Sequence, residues 1–178
     1  MRDSDKPDPL ELQNLGAFAR VDGFVKIGDF EGSAKGQGHD GWSTLVGLRL
    51  DVQRATGSFI GSDKAVGSVQ FAPIAVRKFI DGASPKVFKS CLDGRKHPKV
   101  QIHVTRTIGG KPQVAVEIEL EEVNVSAYRV DDGAVVAEEE PATDTTELRF
   151  HKMTYTVHKF DQSGNSQGKV QETYTVGS

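Results

Sequence analysis

Gly164-Asn165-Ser166-Gln167-Gly168 has the Gly-x-Ser-x-Gly spacing of a nucleophile elbow, in which a serine stands on a sharp strand-to-helix turn. That chemistry needs an acid and then a histidine further along the chain. Only ten residues follow Gly168 and none is a histidine, so the run reads instead as a glycine- and serine-rich hairpin between the strands of Tyr155 and Val170. Imidazole is the commonest metal ligand, but His39, His97, His103, His151 and His158 include no pair at a recognisable ligand spacing. His103 and His158 fall on the polar faces of their strands, where solvated rings are expected, and His97 precedes Pro98 in a loop. Gly32 to Gly38 is glycine-rich yet lacks the Gly-Lys-Ser/Thr ending of a phosphate loop, and reads as a flexible turn. Asn124-Val125-Ser126 matches a glycosylation sequon but lies inside a strand. The residues therefore predict no catalytic group, no metal and no cofactor.

The chain has 178 residues, with 22 Lys and Arg against 25 Asp and Glu, giving a net charge of −3. This is the size of one ordinary domain, and the charge excludes a dedicated nucleic-acid binder. The longest apolar runs are a few residues, far short of the ~18 that span a bilayer, and the first residues are charged and rich in Asp and Pro. No Sec-type signal, no membrane insertion and a reducing cytoplasm are expected; Cys91, being alone, closes no internal disulfide. Charge is uneven along the chain. Arg77 to Lys111 holds nine bases against Asp81 and Asp93, whereas Asp131 to Glu147 holds seven acids and no base. Two readings fit: separate solvated faces, or complementary patches that meet when copies assemble.

From Val21 onward apolar and polar residues alternate, the mark of half-buried strands, so the expected class is all-β. Val46, Leu48, Leu50 and Val52 share one face, with Gly47, Arg49 and Asp51 on the other. Val100, Ile102 and Val104 lead through Gly109-Gly110 into Val114, Val116, Ile118 and Leu120, a hairpin. The apolar set then changes parity twice, from Leu120 to Val123 and from Phe150 to Met153. Such changes predict β-bulges that curl the sheet into a small antiparallel barrel. One short helix is expected on it: Ser84 as N-cap, Pro85 in the first turn, Val87, Phe88, Cys91 and Leu92 as a core stripe, Gly94 as the stop. Residues 1–20 form an N-terminal extension, flexible or a short helix, before a single domain of residues 21–178. Gln53 to Ser68 and Asp131 to Asp144 read as mobile loops; in the first, Phe59 and Ile60 stand together among small polar neighbours.

Phe24-Val-Lys-Ile-Gly-Asp-Phe-Glu-Gly-Ser33, His39, Lys78-Phe-Ile-Asp-Gly-Ala-Ser-Pro85, Cys91 and Gly94 occur in an order and spacing that resemble the Hcp family. Val116 to Ser126 and Glu147 to Tyr155 extend the likeness over most of residues 21–178. Hcp proteins form the tube of bacterial type VI secretion systems. The resemblance implies a non-enzymatic subunit that closes homohexameric rings, which stack into a hollow tube and carry effectors. It also implies partners in the spike protein VgrG and the sheath, and secretion from the cytoplasm without a signal peptide. By position, Ser58, Phe59, Ile60 and Gly61 fall in the loop that contacts the neighbouring ring, and Arg49 and Asp51 on the lumen-facing strand surface. The longer N-terminus and the acidic insertion depart from the family pattern. A monomeric barrel that binds a small ligand inside is the alternative.

Overall fold

The alternating runs fold as strands throughout, as a computed structural model shows; it describes residues 19–36, 38–56, 66–130 and 141–176. The elements are β1 (Ala19–Ile27), β2 (Ser43–Arg49), β3 (Val52–Thr56), β4 (Val66–Phe71), β5 (Ile74–Phe79), α1 (Ser84–Asp93), β6 (Lys96–Ile108), β7 (Lys111–Val130), β8 (Thr143–Arg149), β9 (Lys152–Phe160) and β10 (Ser166–Thr175). Strands β7, β6, β1, β2, β5 and β8 are antiparallel neighbours, and β8 pairs back onto β7. Six strands therefore close a small barrel with one short helix on it. The hairpin β9–β10 continues the sheet off the edge of β7, and β3–β4 forms a separate ribbon.

Every barrel strand sends aliphatic side chains inward. Val25, Ile27, Leu45, Ile74, Val76, Val100, Ile102, Ile118, Leu120 and Leu148 are each no more than 3% exposed. Each contributes about 1.5–3 kcal/mol by leaving water, and together they fill the barrel as a core.

The two parity changes are corners, not bulges. Pairing of β7 with β6 runs unbroken from Asn124 opposite Lys96 to Val116 opposite Val104. The β8–β9 strand likewise stays in step with β7, from Leu148 opposite Val125 to Lys152 opposite Glu121. Three adjacent strands turn together, which is why β6 also shows a three-residue step between buried His97 and buried Val100. Glu122 takes up the turn with φ at 51°, and the His151 amide donates to the Glu121 carbonyl at 3.1 Å. The register breaks lie elsewhere, one of them between Leu45 and Gly47 in β2. That break leaves only Leu48 and Leu50 of the expected apolar face against the core. Leu45 is the core residue, Leu48 and Leu50 are half-buried against the core, and Val52 is 55% exposed.

Helix α1 has the expected limits but a rotated face. Ala83, not Ser84, is the N-cap and makes no side-chain cap; Pro85 lies in the first turn, and Gly94 ends the helix at φ 63°. The inward residues are Ser84, Val87 and Ser90, with Cys91 half-buried, while Phe88 and Leu92 are 49% and 69% exposed. Two of the three inward positions are serines whose hydroxyls find buried partners, so the inward face is not an apolar stripe. The expected 53–68 loop begins and ends in strand, with Val52 opposite Phe71 and Arg54 opposite Val69. Ser58, Phe59, Ile60 and Gly61 lie outside the described residues, as does the extension to Phe18. At the acidic segment β7 reaches Val130, and Asp144 belongs to β8.

One turn makes a sharp stability prediction. Gly28 leaves β1 at φ +56°, and a Cβ there would sit 2.6 Å from Nδ1 of the fully buried His97. Gly28→Ala adds left-handed strain to that clash, an expected loss of about 2–4 kcal/mol. Urea unfolding measures it, and a loss below about 0.5 kcal/mol would show that the turn relaxes freely.

Candidate assembly surfaces

Arg49 and Asp51, predicted from the sequence to share a polar face, do so. Arg49 Nε lies 3.7 Å from Asp51 Oδ2, and its Nη2 lies 3.8 Å from Glu147 Oε1. Arg129 Nη1 reaches the same Glu147 oxygen at 2.6 Å. In register, Arg49 on β2, Ala75 on β5, Glu147 on β8 and Ala127 on β7 stand side by side. Glu147 alternates with the buried Leu148, so this row of charges lies on the outer surface of the barrel. The sequence did not single out Glu147 or Arg129 as partners of Arg49, because the β2–β5–β8 pairing brings Glu147 there and the closure of β8 onto β7 brings Arg129.

The base-rich and acid-rich segments meet inside the subunit. Lys78 on β5 is fully buried, with Nζ 3.0 Å from Asp144 Oδ2 and 3.3 Å from Asp81 Oδ1. It also donates to Ser84 Oγ at 2.7 Å, while Ser84 Oγ and Tyr128 OH donate to Asp144 Oδ2 at 2.6 and 3.0 Å. Burial, and then the Asp144 carboxylate, pushes the Tyr128 phenol up to about 12. This network ties the first turn of α1 to β5, β7 and β8. Asp144 and Glu147 are thus engaged within the chain, which removes two of the seven acids from any intersubunit patch.

Beyond the closed barrel, β9–β10 overhangs. Val157 stands opposite Val116 of β7 and Val170 of β10, so the face that is core in the barrel continues onto the hairpin. There it is open, with Tyr155, Val157 and Val170 exposed. Strand β10 pairs only with β9 among the described residues, leaving its other edge free of ladder partners. At the turn, Asp161 Oδ1 accepts from the amides of Ser163 and Asn165, both at 2.9 Å. Strand β10, not a helix, begins at Ser166, so the Gly-x-Ser-x-Gly run is the hairpin that its residues predict.

The histidines depart from expectation. His97 is in strand β6 rather than a loop, fully buried, with Nε2 2.6 Å from Ser90 Oγ. His103 is half-buried, not solvated, and bonds His39 across 2.8 Å. His158 Nε2 lies 3.1 Å from Glu117 Oε1. Among the described residues no three His, Cys, Asp or Glu side chains gather as a metal site. Burial, then the Arg95 charge, holds His97 below the ordinary imidazole range. The unfolded chain binds a proton at this residue near ~6.5 that the folded chain refuses, so its stabilisation is whole above that pH and is lost below it. Between about pH 6.5 and 5 each such histidine lowers stability by up to about 1.4 kcal/mol per pH unit. Unfolding midpoints across that window should fall in the wild type and fall less in His97→Gln; equal slopes would contradict the assignment.

A family model described as type VI secretion system effector, Hcp, matches residues 24–157. Protein hcp1 of Pseudomonas aeruginosa is 28% identical over 108 residues, which are 60% of this chain and 66% of that protein. The alignment thus spans just under two thirds of that relative's length. A solved type six secretion system protein superposes with a TM-score of 0.78 at 19% identity, covering 88% of this chain and 96% of that one. Hcp1 from E. coli EAEC 042 gives 0.66 at 20%, covering 88% and 97%. A type VI secretion system effector from Yersinia pestis gives 0.66 at 20%, covering 87% and 100%. With the family match running from β1 into β9, through all six strands that close the barrel, the chain belongs to the Hcp family of type VI secretion.

Proposed function

We propose that this chain is the tube subunit of a type VI secretion system. It closes homohexameric rings that stack into a hollow conduit for effectors, and it works by assembly, with no catalytic group. The observation that carries the reading is the overhanging β9–β10 hairpin, with the outer edge of β10 without a ladder partner among the described residues and with Tyr155, Val157 and Val170 exposed. An open edge beside an apolar face invites association, and a neighbouring copy covers both. A contact between this hairpin and a different surface of the next copy is heterologous, the kind that closes rings and repeats along an axis.

The remaining assignments follow from the family. Residues Ser58, Phe59, Ile60 and Gly61, which lie between β3 and β4 in sequence, contact the adjoining ring. Arg49 and Asp51, with Glu147 and Arg129 beside them, face the lumen and meet the cargo. VgrG and the sheath bind the assembled tube, which stands in the cytoplasm before firing and leaves the cell without a signal peptide. The competing reading, a monomeric barrel holding a small ligand, loses support because aliphatic side chains fill the barrel interior.

Sedimentation velocity tests the reading. At micromolar concentration and low salt the expected species has six times the 19.3 kDa chain mass, about 116 kDa. A 19.3 kDa species at every concentration would overturn it. Added salt should weaken the association only modestly, since the interface proposed here is largely apolar.

A further inference from the structure

Between β1 and β2, residues 28–36 and 38–42 form a small hydrogen-bonded ribbon of their own. The Gly32 amide donates to Gly41 O at 2.8 Å, Gly41 to Ala34 O at 3.1 Å and Ala34 to Trp42 O at 2.8 Å. From this ribbon His39, 4% exposed, reaches across the outside of the barrel. Its ring stacks on Phe24 of β1 with centroids 4.2 Å apart and planes 10° from parallel, and meets Trp42 edge-on at 4.8 Å. Its Nε2 lies 2.8 Å from Nδ1 of His103 on β6, and the His103 ring lies 4.7 Å from Trp42.

We propose that the His39–His103 pair is an acid-sensitive latch that holds the 28–42 ribbon against the barrel. A hydrogen bond between two ring nitrogens needs one N–H and one lone pair. The neutral pair supplies both, and a pair carrying one extra proton still does. When both rings are imidazolium, two N–H groups face each other at the bridge, the bond is gone and like charges adjoin in a half-buried site. The latch then opens.

The surrounding charges set where this happens. From β7, Glu117 stands in register opposite His103, with Glu119 two residues along, and both favour its proton. From β9, His158 sits on Glu117 and opposes it. From β1, Lys26 donates to Gly41 O at 2.9 Å, and within the ribbon Asp40 accepts from the Gly36 amide at 2.6 Å. Burial is the largest influence on His103 and holds it below the ordinary imidazole range. The second proton therefore binds on the acid side of ~6.5, and the pair is closed at neutral pH.

Trp42 is the one tryptophan of the chain and touches both rings, so its fluorescence reports on the latch. The 178-residue chain is titrated from about pH 8 to 5, following Trp42 emission together with the protection of the Ala34 and Gly41 amides against exchange. Sedimentation at both ends separates latch opening from any change of oligomer. The expected result is a loss of emission with a midpoint below ~6.5 and a loss of protection at both amides relative to the intrinsic exchange rate at each pH, while far-ultraviolet circular dichroism stays constant. His103→Gln and His39→Gln should each abolish the transition, and His158→Gln should keep it with a shifted midpoint. The two latch variants are independent, so one that folds suffices. Flat emission and unchanged protection in the wild type, or the same transition in either latch variant, would overturn the proposal. The latch stands on one subunit's geometry and is separate from the ring reading.

Discussion

Lys78→Met is expected to cost about 3–5 kcal/mol of folding stability, the largest effect of any single side chain considered, because it leaves a buried carboxylate without its cation. Lys78 and Asp144 are both fully buried, and Ser84, Asp81 and Tyr128 are arranged around the pair. The ion pair itself is not the source of the stability, since desolvating two charges offsets most of their attraction. The cost lies in breaking it. The double variant Lys78→Met with Asp144→Asn should therefore recover at least half of the loss, because the amide is neutral and its oxygen still accepts from Ser84 and Tyr128. Urea unfolding of the single and double variants is the check. A single variant within about 1 kcal/mol of the wild type, or a double variant worse than the single, would show that the network does not hold α1 to the barrel.

Replacing both Phe59 and Ile60 with aspartate should leave rings intact and abolish their stacking. Large apolar residues at the centre of a contact commonly carry about 2 kcal/mol or more each, about thirtyfold in affinity, and a buried unpaired carboxylate adds to the penalty. Sedimentation should show the ring species at wild-type abundance and no longer assemblies. Loss of the ring itself would move these residues to the lateral contact, and unchanged stacking would remove them from assembly. Tyr155→Asp on the β9–β10 overhang should do the reverse and release monomers.

Much of this architecture was legible in the residues because period-two alternation survives wherever one strand face is core, as along Val100 to Val104 and Val114 to Leu120. The barrel, the single helix and its Gly94 stop follow from local pattern and turn chemistry. What stayed hidden is tertiary. The parity steps at Glu121–Glu122 and Phe150–His151 look like bulges in one strand, and only the neighbouring register shows three strands turning together. The break in β2 falls between Leu45 and Gly47, where two apolar residues, Leu45 and Val46, stand side by side and alternation gives no warning. Lys78, Asp144, Ser84 and His97 read as surface residues by type; the first three are buried because β8 brings Asp144 to Lys78 and Ser84, and His97 because it meets Ser90 on the inward face of α1. The same holds for the charged row, where Arg49 and Asp51 were visible and Glu147 and Arg129 were not.

Electron microscopy of the purified protein tests the central claim most directly. Rings of six-fold symmetry around an open centre are expected, with the Arg49 and Glu147 surface lining the opening and the β9–β10 hairpin against the next copy. Discrete single-barrel particles at high concentration and low salt, or rings whose subunits meet without β10, would contradict it.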